Sequence, residues 1–207
     1  LVAYLPDYAR WASRLAPLLN LRDKIPGLAA LSERLTGLSA RRTLPQWKSK
    51  NFFNSAPTSA TREEVLAASK PVVLFVDTFN GYFESDNASA ALKVLQAAGY
   101  TVHVATKKVA DGKSLCCGRT YLASELVTAL LPFAERGIAI VGLEPSCLLT
   151  MRDEILVMGL DELNQAAQTI SRHALLLEEF LAREAAAGKL EALKARLKPA
   201  TQPILLH

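Results

Sequence analysis

The chain is poor in cysteine, methionine, tryptophan and histidine, and it contains no long apolar run. Three cysteines, two of them adjacent, cannot build a disulfide framework, because neighbouring cysteines bridge only through a strained ring. Reduced thiols in a reducing compartment are the expectation. No stretch approaches the roughly 18 uninterrupted apolar residues that cross a bilayer. The N-terminus lacks the basic, apolar and small-residue succession of a secretory signal. A cytoplasmic setting without a membrane span is therefore expected. Gly81 and Gly118 stand isolated, so there is no glycine-rich phosphate loop and no expectation of nucleotide binding. Ser146 beside Pro145 has no G-x-S-x-G setting, which argues against a hydrolase elbow. His103, His173 and His207 have no spaced partners, and the first two read as ordinary core or surface histidines. The net charge of +4 comes from 24 basic and 20 acidic residues scattered over both halves. Such a distribution offers no concentrated arm to track nucleic acid, and none is expected as a partner.

Half of the 207 residues are apolar, enough for one substantial core or a core with an attached arm. Residues 1–44 are helix-prone but punctuated by Pro6, Pro17 and Pro26, which predicts short helices joined by tight turns. Leu15, Leu18, Leu19 and Leu21, then Leu28, Leu31, Leu35 and Leu38, recur at roughly helical spacing with arginines between them. Such a stripe predicts a face that packs against another module rather than binding lipid, because the arm is short and its prolines interrupt the apolar face. Residues 45–70 are polar and irregular and read as a linker. Pro71 to Val76 is a continuous apolar run suited to a strand buried on both faces, and Asp86 to Gly99 predicts a helix closed by glycine. Tyr100 to Val104 and Ile138 to Gly142 are two further strands, separated by a predicted helix over Tyr121 to Glu135. Ser171 to Leu197 reads as helix, broken near Gly188. This alternation predicts an α/β fold, a small parallel sheet flanked by helices, with an N-terminal helical arm.

The chemistry-bearing residues are the thiols. Cys116 and Cys117 are followed by Gly118, whose missing Cβ lets backbone approach a bulky centre, and Cys147 falls just past the C-terminal end of the third strand. Adjacent soft thiolates suit a polynuclear iron–sulfur centre or zinc. Cys116 and Cys117 also leave thiol-redox chemistry open. Arg119 and Arg152 could line the same pocket and hold an anionic substrate, and Asp77, Thr78 and Asn80 sit just beyond the first strand, as rim groups or as turn-forming hydrogen bonders.

Phe75-Val76-Asp77-Thr78, Ala90 through Tyr100, Leu115-Cys116-Cys117-Gly118 and Gly142-Leu143-Glu144-Pro145-Ser146-Cys147 together resemble one copy of the cysteine-rich CCG repeat. That repeat occurs in heterodisulfide reductase subunits, the glycolate oxidase iron–sulfur subunit and the C-terminal part of large FAD-linked 2-hydroxy-acid dehydrogenases. The wording is most similar to the last group. Two departures stand out: Thr78 and Glu144 occupy places where the repeat has cysteine, and the interval from Cys117 to Glu144 is shorter than the family pattern.

The resemblance implies an iron–sulfur, electron-transferring portion of an FAD-dependent oxidoreductase acting on a D-2-hydroxy acid of the lactate, glycolate or 2-hydroxyglutarate type, not catalytic alone. It implies Cys116, Cys117, Cys147 and Glu144 as metal ligands, with Gly118, Arg119 and Thr78 beside the cofactor. An iron–sulfur cluster is the implied cofactor, with zinc or a metal-free docking module as alternatives, and FAD would lie in the missing part of the intact protein. Residues 1–44 become an arm following a ferredoxin-like module. Residues 71–207 become a CCG-type domain cut before its second repeat, with both chain ends belonging to something longer. The implied partners are the FAD-binding and ferredoxin-like modules of the same polypeptide and an electron acceptor of unknown identity. A homo-oligomer, or peripheral association at the inner membrane through a partner, is a further expectation.

Overall fold

The computed structural model describes residues 4–55, 59–106, 115 and 123–198. Cys116, Cys117, Gly118, Arg119 and His207 lie outside them.

The arm opens with α1 (Leu5–Arg14), which has Pro6 in its first turn, where the missing N–H is harmless. Then come α2 (Ala16–Leu19) and α3 (Leu28–Thr36). Only α1 and α2 commit buried residues, among them Ala9, Ala12, Ser13 and Ala16, whereas α3 buries none. Small side chains on that face let α1 approach its neighbour closely. The stretch expected as a linker is threaded into the structure. It carries α4 (Phe52–Ser55) and α5 (Arg62–Ala67), and it seals Phe52 and Val65 in the interior. Thr61 and Glu64 form a reciprocal capping box on α5. The same stretch ties down the arm. Asn51 Nδ2 donates to Ser13 Oγ at 2.8 Å, and Asn20 exchanges two hydrogen bonds with the Trp47 backbone. The Trp47 ring lies 4.3 Å from that of Phe83. Polar composition hid this role, because those bonds are made to distant backbone.

The sheet begins with β1 (Pro71–Phe75), followed by α6 (Thr78–Tyr82), α7 (Ser85–Ala97) and β2 (Thr101–Ala105). After the undescribed stretch come α8 (Ala123–Ala134), β3 (Ile140–Gly142), α9 (Pro145–Arg152), α10 (Asn164–His173), β4 (Ala174–Leu176), α11 (Leu177–Ala186) and α12 (Glu191–Lys194). The four strands are parallel in the order β2-β1-β3-β4, with Val73 opposite His103 on one side and Ile140 on the other. The predicted fold class is what is observed.

Both faces are covered, which is why the two central strands, β1 and β3, are apolar throughout. Val73, Phe75, Ile140 and Ala174 pack with Leu126, Leu130, Phe133 and Ile170 on one face. Val72, Leu74, Val76 and Val141 pack with Leu92, Leu95 and Phe180 on the other. The helix expected over Ser171 to Leu197 is interrupted twice. Gly188 adopts φ +71, as its composition suggested, while Ala174–Leu176 leave the helix to pair with β3. Alanine and leucine carry no strand preference of their own, so the open edge of β3 decides their conformation. Its length also differs: β3 starts at Ile140, two residues later than expected.

Gly142 marks a close approach. A Cβ there would stand 2.8 Å from Leu148 Cδ1 and 3.6 Å from Phe75 Cδ1, so the fully buried Leu148 side chain would have to shift within the core. Gly142→Ala is expected to lower stability by about 1–2 kcal/mol through overpacking, measured as the midpoint shift in chemical denaturation.

Candidate functional site

Strand order puts a topological switch point, the place where open α/β sheets form their ligand crevice, at the C-terminal ends of β1 and β3. From β1 the chain crosses one face through α7 to β2, and from β3 it crosses the other face through α10 to β4. The two connections leave in opposite directions from adjacent strands, which is the topological switch point where open α/β sheets bind ligands. Val76-Asp77-Thr78 leaves β1 at this edge, and Leu143-Glu144-Pro145-Ser146-Cys147 leaves β3 beside it. Thus three of the expected site residues, Thr78, Glu144 and Cys147, belong to neighbouring turns although up to 69 positions separate them.

Each turn is held by an acidic cap. Asp77 is buried and precedes α6. Its Oδ1 accepts from Phe79 N at 2.8 Å and Asn80 N at 3.0 Å, and its Oδ2 accepts from Asn80 Nδ2 at 2.7 Å. Burial pushes the Asp77 carboxyl above its ordinary range. The hydrogen bonds from Asn80 and Phe79 pull it back, and the negative charge of Glu144 pushes it further up. That repulsion registers the nearness of the two turns. Glu144 in turn caps α9, its Oε1 accepting from Ser146 Oγ at 2.9 Å and from Ser146 N at 3.4 Å.

Cys147 is a free thiol in the first turn of α9, 8% exposed and in the apolar cluster that also holds Phe75, Ala105 and Leu115. Leu115, which immediately precedes Cys116 in the sequence, is 2% exposed in that cluster. Thr78 is 5% exposed at the start of α6.

Chemically, the described part of the crevice offers one thiol, one half-buried carboxylate and one hydroxyl. A thiolate is the soft donor that iron or zinc prefers, and a carboxylate can complete such a set. Among the described residues no group of three or more His, Cys, Asp or Glu could hold a metal ion, so a complete ligand set requires Cys116 and Cys117 as well. The donors present fit half of the expected set.

Other expectations resolve differently. Arg152, considered for an anionic substrate, is engaged in structure: its Nε donates to Ala174 O at 2.9 Å, and its two terminal nitrogens reach both carboxylate oxygens of Glu179. Arg152 holds the Glu179 carboxyl below its ordinary range, and Glu179 Oε2 also accepts from Leu176 N. This clasp fastens α9 to β4 and α11. His103 Nδ1 bonds Ala60 O at 2.9 Å, with its ring on Phe133, and His173 Nδ1 bonds Thr169 O at 2.9 Å. Both are structural. Of the two roles expected for Asp77 and Asn80, rim groups or turn-forming hydrogen bonders, their mutual bonds and the Asp77 cap on α6 show the second.

Among the described residues no helix is long and apolar enough to cross a membrane. Comparison of the chain with protein-family models, with curated proteins and with solved structures found no match.

Proposed function

We propose that this chain is the iron–sulfur, electron-transferring portion of an FAD-dependent oxidoreductase acting on a D-2-hydroxy acid, with Cys116, Cys117, Cys147 and Glu144 as ligands. The observation that carries this reading is the convergence of Thr78, Glu144 and Cys147 on one switch-point crevice, with Leu115 packed into the same cluster as Cys147. A cluster bound there would supply one-electron storage between a flavin and an acceptor. The chain's own contribution is placement. The caps at Asp77 and Glu144 fix the two turns, the apolar wall of Phe75 and Leu148 keeps water from one side of Cys147, and Thr78 offers a neutral hydroxyl at the rim. Gly118 and Arg119 would complete the border. The flavin and hydroxy-acid sites belong to other modules of the same polypeptide in this reading, which sits in the cytoplasm or at the inner membrane through a partner.

One observation favours a second reading, a metal-free docking module. The Glu144 carboxylate already caps its own helix, and the place that carries cysteine in the resembled repeat holds Thr78.

Anaerobic purification with iron, sulfide and zinc analysis separates these readings. Iron, labile sulfide and thiolate charge-transfer absorbance are expected, and Cys147→Ser is expected to abolish the colour while leaving the far-ultraviolet circular dichroism of the fold intact. A folded, colourless protein free of iron sinks the cluster reading, and zinc without iron moves the assignment to a zinc centre.

A further inference from the structure

The arm holds a second concavity, far in sequence from the switch-point residues. Residues 1–44 carry seven basic and three acidic side chains, so they account for the whole net charge of +4. The surplus charge is therefore concentrated in the arm, although basic residues occur in both halves of the chain. Much of it surrounds a cleft of about 330 Å³ between the turn leading into α3 and residues 40–43, lined by Arg22, Lys24, Arg41 and Arg42 against the single acid Asp23.

Arg22 builds the cleft. It is 7% exposed, and its guanidinium donates to Ser32 Oγ, Leu38 O, Ser39 O and Arg42 O while pairing with Asp23. Asp23 is itself occupied on its far side by Leu44 N at 2.9 Å. The loop is thereby clamped through its backbone carbonyls, and Arg41 and Arg42 line the cleft. Lys24, Arg41 and Arg42 make no ion pair among the described residues. Like charges gathered without counter-charge repel one another, and a polyvalent anion relieves that repulsion. The first turn of α3 adds to the same field, since it has no acidic residue and no side-chain cap. One wall is apolar, formed by Ile25, Pro26 and Ala29.

We propose that this cleft binds a phosphate group, as a phosphomonoester or diphosphate, with the apolar wall against the organic part of the ligand. The surplus of three positive charges matches a multiply charged phosphate better than a single carboxylate, and arginine forks suit its oxygens. Two sources share this chemistry, a soluble metabolite and a lipid headgroup.

The test titrates the 207-residue chain with inorganic pyrophosphate by calorimetry, and separately sediments it with phosphatidic acid–phosphatidylcholine vesicles, whose anionic headgroup is a phosphomonoester, against phosphatidylcholine alone. Saturable pyrophosphate binding is expected, weakened about tenfold or more in R41E/R42E and lessened by added salt. The charge-matched control R196E/K198E, at the other end of the described chain, is expected to bind as the parent does. Pyrophosphate binding without sedimentation assigns a soluble ligand. Sedimentation with anionic vesicles that R41E/R42E alone abolishes assigns a headgroup. K24Q/R41Q provides a milder variant should charge reversal disturb folding. Absence of both kinds of binding, or equal loss in the control, overturns the proposal. Metal content does not enter this test, so its failure is separate from that of the iron–sulfur reading.

Discussion

Asp77→Ala is expected to destabilise the protein by about 2–4 kcal/mol, because it removes a helix cap and leaves a buried amide without its acceptor. The carboxylate takes three hydrogen bonds, two from the first N–H groups of α6 and one from Asn80 Nδ2, and both Asp77 and Asn80 are almost fully buried. Alanine supplies no acceptor, and no described neighbour stands ready to replace it. Asp77→Asn keeps one acceptor oxygen but turns an amide donor toward another amide donor, so it should fall between the two.

The pH dependence of that pair carries a sign. Burial raises the Asp77 carboxyl above its ordinary value of 3.8 in the folded state. Between that value and the raised one the folded protein binds more protons than the unfolded chain, so this group's contribution is fully present at acid pH and is lost as pH rises through the folded value. Urea denaturation of parent and Asp77→Asn at acid and neutral pH should show the parent's advantage larger at acid pH. A difference that stays flat or runs the other way would show that the carboxylate is ionised throughout and held by its donors alone.

A comparable loss, about 2–4 kcal/mol, is expected for Glu184→Ala, which strips a buried hydroxyl and two cations of their shared acceptor. Glu184 is 5% exposed on α11 and accepts from Tyr100 Oη at 2.5 Å, with Lys189 Nζ at 3.2 Å and Arg183 Nε at 3.3 Å. Tyr100 stands just before β2 and lays its ring against Phe180, 5.1 Å between centroids. The network therefore fastens α11 to the strand across 84 positions of sequence. Tyr100→Phe should cost less, about 1 kcal/mol, because the carboxylate keeps its cations.

Here the pH sign is opposite to that of Asp77. Burial works to raise the Glu184 carboxyl, but hydrogen bonds from Tyr100 and Lys189 and the nearby charges outweigh it and hold the group below its ordinary value of 4.5. Its contribution is fully present above that value and is lost as pH falls through the folded value. Acid titration of parent and Glu184→Gln, followed by the tryptophan signal, should show the parent losing its advantage below that value. Burial also pushes the Tyr100 hydroxyl far above its ordinary 10.0, so ionisation of that group cannot break the network at neutral pH.

Three of the strands, the helix closed by Gly99 and the glycine break at Gly188 were legible because each rests on local rules: apolar runs for doubly buried strands, positive φ for glycine. β4 was not legible. Ala174, Leu175 and Leu176 lie between helix formers, and only the unpaired edge of β3 makes them a strand. The polar stretch 45–70 misled for a related reason, since Phe52 and Val65 are too widely spaced to form a pattern and yet each enters one face of the core.

For the site, the residue types at positions 77–80 and 144–147 could be singled out from sequence, and so could the strand after which each group falls. Their mutual nearness could not. It depends on β1 and β3 being adjacent while their crossovers diverge, a property of strand order that no local pattern encodes. The role of Arg152 was likewise hidden, because a bidentate partner 27 positions away decides whether a guanidinium is available to a ligand.

The sequence by itself determined the α/β alternation, the helical arm and the thiols worth examining, because hydrophobic periodicity, proline, glycine and residue chemistry act within a few positions. Only the tertiary structure decided the fourth strand, the switch-point crevice, the Glu184 network and the clamped basic cleft. Each of those arises from contacts between distant segments, whose energies exist only once the chain has closed on itself.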